Sequence, residues 1–123
     1  MDTVLNPSDD APGIKNAAAT IQAVDAKAMM TQQAVGSYIA AELVAAALLK
    51  VNGEVTAASL TTALDGLRNV DMNGVIPPWS SIPVEGNTFP RIFNHYGINY
   101  KIQDGKAVKQ GDFYDIVALL TGK

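Results

Sequence analysis

The chain reads as an α/β fold in which the first half supplies helices flanking a sheet and the last third supplies a strand and a hairpin. Three features carry that reading. Alanine-rich helical periodicity runs from Ile14 to Leu67. A passage from Asn69 to Pro90 is punctuated too often by glycine and proline for a helix to cross it. Apolar and polar residues then alternate up to an Asp-Gly pair at 104–105.

The 123 residues suffice for one domain with a real core and would be cramped for two. Hydrophobic residues make up 48% and charged residues 17%, the composition of a chain that packs. The N-terminus is acidic and polar where an export signal needs a basic start and an apolar stretch, so no signal peptide is legible in this chain.

Pro7, Asp9, Asp10, Pro12 and Gly13 resist regular structure, and residues 1–13 read as a linker or severed connection, with 14–123 as the folded unit. Ile14, Ile21 and Val24 among alanines predict a modest helix from Ile14 to about Ala28, with Asp25 and Lys27 facing water. From Thr31 to Val51, the residues Val35, Tyr38, Ile39, Leu43, Val44, Leu48 and Leu49 predict a long helix ended by Asn52-Gly53. It is apolar nearly all round, but Gln32, Gln33, Ser37 and Glu42 interrupt a stretch already marginal for a membrane, so burial within a soluble domain is expected. Thr56 is placed to cap a short amphipathic helix with a stripe of Leu60, Ala63, Leu64 and Leu67, closed near Arg68.

After Asn69 an extended, looped segment carries Trp79. Residues 92–102 favour strand, with Ile98, Tyr100 and Ile102 alternating with Asn99 and Lys101. Asp104-Gly105 predicts a tight hairpin, because both central residues must take positive φ. Phe113 to Leu120 is compatible with a short helix or a strand. Gly74, Gly86, Gly97 and Gly105 read as turn formers.

The chemistry this composition excludes is broad. A net charge of −3 with no basic run argues against nucleic acid as a partner. The absence of cysteine removes disulfides, thiolate nucleophiles and Cys-based zinc sites. His95, the single histidine, has no second His or Cys at metal-ligand spacing and no nucleophile beside it in sequence, so a surface or hinge role is expected. Glu42 has no second carboxylate placed to share acid/base work and is expected on the exposed stripe of its helix. No phosphate-cradling glycine motif occurs, and neither an enzyme activity nor a cofactor is expected. Trp79 leaves two readings open, a stacking platform for a ligand and packing against its own core.

The order and spacing of several stretches resemble the end of a known family. They are Gly36-Ser37-Tyr38-Ile39-Ala40-Ala41-Glu42-Leu43, then Thr56 with Leu60, Ala63 and Leu64, then Asn73-Gly74, and finally Tyr100-Lys101-Ile102-Gln103-Asp104-Gly105-Lys106. From about Ala34 onward the chain resembles the C-terminal part of type 1 periplasmic solute-binding proteins of ABC transporters, the leucine/isoleucine/valine-binding family. The resemblance implies a two-lobed receptor, outside the cytoplasm, that closes on a solute such as an amino acid by hinge motion and then docks on ABC permease subunits in the membrane. In that family an aromatic about a turn and a half before the tyrosine matching Tyr38 lines the cleft. The corresponding position here is near Gln33, which offers hydrogen bonds in place of a ring face. The ligand-facing residues implied are therefore Gln33 and, from its own stacking potential, Trp79. A chain of this kind alone is expected to bind no amino acid and to self-associate through uncovered helix faces. The alternative is an autonomous small α/β structural or interaction domain sharing the same element order.

Overall fold

The computed structural model describes residues 1–84 and 91–122. Among them the protein is mixed α/β, with four helices and one two-stranded antiparallel sheet. Gly86, read above as a turn former, and Pro90, where the irregular passage ends, lie outside the described residues.

Helix α1 runs over Pro12–Val24, opened by a proline whose missing N–H costs nothing in the first turn. It ends four residues before the expected Ala28. There the Asp25 side chain accepts from the Lys27 amide (2.9 Å) and the Asp25 carbonyl from Ala28 (2.9 Å), a local turn that competes with the helix. Its buried face is small: Gly13, Ile14 and Ala17. Gly13 lies so close to the chain below it that its amide bonds the Asn73 carbonyl at 3.0 Å.

Helix α2, Gln32–Leu48, starts where Thr31 caps it, the hydroxyl accepting from the Ala34 amide at 3.1 Å. It stops short of the expected Val51, and residues to Val51 continue in turns closed by bonds from Lys50 to Ala47 and from Val51 to Leu48. Val35, Ile39, Leu43 and Ala47 are buried, one residue every fourth position. Burying each of the three larger ones contributes about 1.5–3 kcal/mol. The other side of the helix is open: Ala40, Ala41, Val44, Ala45 and Leu48 face outward. No helix of the described residues is long and apolar enough to cross a membrane.

Helix α3, Ala57–Asp65, begins in a reciprocal cap. The Thr56 hydroxyl accepts from the Ser59 amide (3.1 Å) and the Ser59 hydroxyl accepts from the Thr56 amide (2.9 Å). Arg68 closes the far end by donating to the Asp65 and Leu67 carbonyls at 2.8 and 2.6 Å. Leu67 is fully buried, and Leu60, Ala63 and Leu64 pack against the same core.

The passage after Asn69 is irregular, as expected, yet it supplies core: Met72, Val75 and Ile76 are buried. It is pinned to α3 by Ser81, whose amide bonds the Leu67 carbonyl (3.0 Å) and whose buried hydroxyl bonds the Leu64 carbonyl. A single bridge joins Val70 to Trp79.

Strands β1, Tyr96–Gln103, and β2, Lys106–Asp115, pair antiparallel across Asp104 (φ 50°) and Gly105 (φ 75°), the positive-φ pair the turn requires. The strand begins at Tyr96, later than expected from residue 92. The pairing slips between Gly97 and Asn99, and Ile98 at the slip instead exchanges both backbone bonds with Asp2, each 2.9 Å. Gly97 is therefore a buried strand residue and not a turn former; a Cβ there would lie 3.2 Å from Ile116 and Met1. The 113–120 region divides between both readings: Phe113 to Asp115 end β2, and α4 occupies Ile116–Thr121 with Asp115 as its cap.

Residues 1–13, read from sequence as a linker or severed connection, run along this body. Leu5 is buried and its amide bonds the Val75 carbonyl at 3.0 Å. The Tyr100 hydroxyl accepts from the Asn6 amide (2.9 Å) and donates to the Asp9 carboxylate, and burial, followed by Asp9, pushes its phenol far above the usual range. These contacts tie the N-terminal segment to the 72–76 passage and to β1.

Candidate functional site

Two separate clefts hold the residues singled out from sequence. The first lies at the N-terminal end of α2. Gln32 and Gln33 line shallow depressions on both sides of that end, one walled by Asn6, Pro7 and Ser8, the other by Asp2, Thr3 and Val4. Gln33 is exposed, as a ligand-facing residue must be. Its neighbour Gln32 is the more unusual: its side-chain nitrogen is buried with no acceptor among the described residues. A buried amide donor without a partner costs about 1–3 kcal/mol, which an acceptor atom of a ligand or a water would recover. The positive end of the helix macrodipole lies in the same place and favours acceptor or anionic groups. Sequence reasoning missed Gln32, because nothing in the pair Gln32-Gln33 reveals which one the Met30-Thr31 turn and the N-terminal segment cover.

The second cleft, about 330 Å³, is centred on Trp79. The irregular passage after α3 brings Trp79 against Phe93, with ring centroids 5.5 Å apart and planes at 85°. His95, stacked on Tyr96 at 4.5 Å and 28°, also lines it. Trp79 is half-buried and packs on the core, and it also lines the cleft. Gln33 and Trp79 are not brought together, since their clefts share no lining residue.

His95 has an acidic partner that sequence spacing did not reveal. Its Nδ1 lies 2.9 Å from the Asp115 carboxylate, both side chains being largely but not wholly covered. The same carboxylate oxygen accepts from the Val117 and Ala118 amides at 2.8 and 3.1 Å, capping α4. The hydrogen bond from His95, ahead of the α4 amides, holds the Asp115 carboxyl below the usual carboxylate range. The signal that could have located Asp115 is the pattern of an aspartate directly before an apolar run. Glu42 is exposed on α2. Burial first, then Glu42, pushes the neighbouring Tyr38 phenol upward. Among the described residues no group of three or more His, Asp or Glu side chains is placed to hold a metal ion.

Comparison with family models, with curated proteins and with solved structures returns no match to this chain.

Proposed function

We propose that the chain forms the C-terminal part of the substrate-binding component of an ABC importer, taking amino acids of the branched-chain kind or related small polar solutes. The observation that carries this reading is the lopsided burial of α2. A 17-residue helix that is apolar nearly all round buries only the Val35, Ile39, Leu43 and Ala47 stripe. Its outward side presents Ala40, Ala41, Val44 and Leu48 at helical spacing, hence as one contiguous band. In a bilobal receptor that band packs under further polypeptide. The α2 N-terminus, with Gln33 exposed and the Gln32 amide unpaired, then faces the solute. Recognition is shared with segments of the other lobe, closure is a population shift driven by the solute, and no covalent step is involved. The receptor acts outside the cytoplasm and hands its solute to the permease subunits.

Two measurements test this. Calorimetry of the purified chain with leucine, isoleucine or valine is expected to show no saturable heat, and tight one-to-one binding would count against shared recognition. Sequencing the coding region upstream of Met1 is expected to show an in-frame strand and helix series led by a signal peptide. A promoter and ribosome site directly ahead of Met1 favours the second reading, an autonomous α/β interaction domain. That reading draws on the continuous buried cluster from Leu5 through α2 to Ile98.

A further inference from the structure

We propose that Asn52-Gly53, between α2 and α3, is a self-modifying site whose asparagine converts to aspartate and isoaspartate through a cyclic imide. The chain's other Asn-Gly pair, Asn73-Gly74, is held back from the same reaction by the fold. The inference rests on neither functional reading.

The reaction needs only the two residues and water. The Gly53 backbone nitrogen gives its proton to solvent base and bonds to Asn52 Cγ, the Cγ–Nδ2 bond breaks, and ammonia leaves with a proton taken from solvent. Water then adds to either carbonyl of the ring and opens it, giving aspartate or, with the main chain rerouted through Cβ and Cγ, isoaspartate. Glycine is the most permissive follower, because no Cβ shields its nitrogen or limits its backbone. Closing the ring fixes the torsion about the asparagine Cα–C bond, and the planar peptide makes the asparagine carbonyl swing with the glycine nitrogen. The pair therefore reacts only where that peptide can turn.

At Asn52-Gly53 nothing among the described residues opposes the turn. Both residues are exposed, and neither makes a hydrogen bond with another described residue. A Cβ built on Gly53 would meet nothing within 4 Å. The chain is fastened before the pair by the Val51 amide on the Leu48 carbonyl (3.1 Å) and after it by the Glu54 carbonyl, which accepts from the Ser59 hydroxyl (3.0 Å).

Asn73-Gly74 is equally exposed but fastened within the pair itself. Asn73 (φ 50°) and Gly74 (φ 80°) form a two-residue turn closed by the Val75 amide on the Met72 carbonyl at 3.1 Å. The Asn73 amide donates to the Asp71 carboxylate at 2.8 Å. Its carbonyl, the group that must swing, accepts from the amide of buried Gly13 at 3.0 Å. Hydrogen bonding, not exposure, thus separates the two pairs. Reaction at Asn52 places a new carboxylate just past the carbonyl end of α2, where the helix dipole disfavours it, and isoaspartate also lengthens the main chain joining α2 to α3.

Incubating the intact chain in mildly alkaline buffer, folded and in parallel in urea, tests this. Trypsin cuts after Lys50, Arg68 and Arg91, so the two pairs fall in separate peptides, 51–68 and 69–91, and fragment sequencing by mass spectrometry locates each conversion. In the folded chain Asn52 is expected to convert at least about fivefold faster than Asn73, the factor that breaking one or two backbone hydrogen bonds imposes on a rate. Both aspartate and isoaspartate are expected at position 52. In urea, where those bonds are gone, the gap is expected to close. Equal rates in the folded chain, a gap that survives in urea, or conversion at Asn52 without isoaspartate would overturn the proposal.

Discussion

Replacing Gly13 by alanine tests the packing of α1 against the irregular core passage. A Cβ at Gly13 would stand 2.3 Å from Val75 Cγ2 and 2.7 Å from the Met72 carbonyl oxygen. Carbon atoms in contact sit about 3.5–4.0 Å apart, so the overlap exceeds an ångström. Val75 is buried and Met72 O is backbone, so neither can yield without moving the 72–75 turn. Overpacking of this kind costs about 1–3 kcal/mol, and the helix propensity of alanine over glycine returns at most about 1 kcal/mol. The net loss expected is about 1–2 kcal/mol. With an unfolding entropy near 2.1 cal/mol/K per residue, the 123 residues give about 4 °C per kcal/mol, hence a fall of about 4–8 °C in Tm. Gly36→Ala supplies the contrast: it lies within α2 and its Cβ meets nothing within 4 Å, so it is expected to raise stability by up to about 1 kcal/mol. Urea unfolding followed by circular dichroism measures both. An unchanged or higher midpoint for Gly13→Ala, or an equal fall for Gly36→Ala, refutes the packing argument.

Other perturbations probe single contacts. Thr56→Ala removes the hydroxyl that accepts from the Ser59 amide, leaves the arm from the Thr56 amide to the Ser59 hydroxyl, and is expected to cost about 0.5–2 kcal/mol, read by urea unfolding. The Asp115 carboxyl has a folded pKa below its unfolded value, so its contribution is fully present above the unfolded carboxylate range and is lost as pH falls through the lower folded value. Amide exchange of Val117 and Ala118 is therefore expected to quicken as pH drops through that window relative to the intrinsic rate, and Asp115→Asn to flatten the dependence. Leu48→Lys, on the outward side of α2, is expected to change stability by less than about 0.5 kcal/mol while reducing concentration-dependent self-association in sedimentation velocity.

What could be read from residues alone was what neighbours in sequence decide. The Thr56 cap and the Asp104-Gly105 turn are each settled within four residues, and they stand where expected. The core of the passage after Asn69 could not be read this way, because Met72, Val75 and Ile76 carry no period of 2 or 3.6 and are buried by α1 and the N-terminal segment. The pairing of Asp2 with Ile98 and of His95 with Asp115 likewise joins residues far apart in the chain. For α2, hydrophobicity nearly all round did not reveal which stripe is buried; small alanines tolerate water, and Val35, Ile39, Leu43 and Ala47 carry the packing. Gln33 and Trp79 were each placed on a cleft wall, but sequence spacing held no information on whether those walls face one another.

An antibody raised against this chain, used on fractionated extracts of the cells that encode it with intact-mass determination of the captured protein, asks whether these helices serve a larger solute trap. The expected result is an exported species well above 13.0 kDa that contains this sequence at its C-terminal end. A 13.0 kDa species confined to the cytoplasm would contradict it.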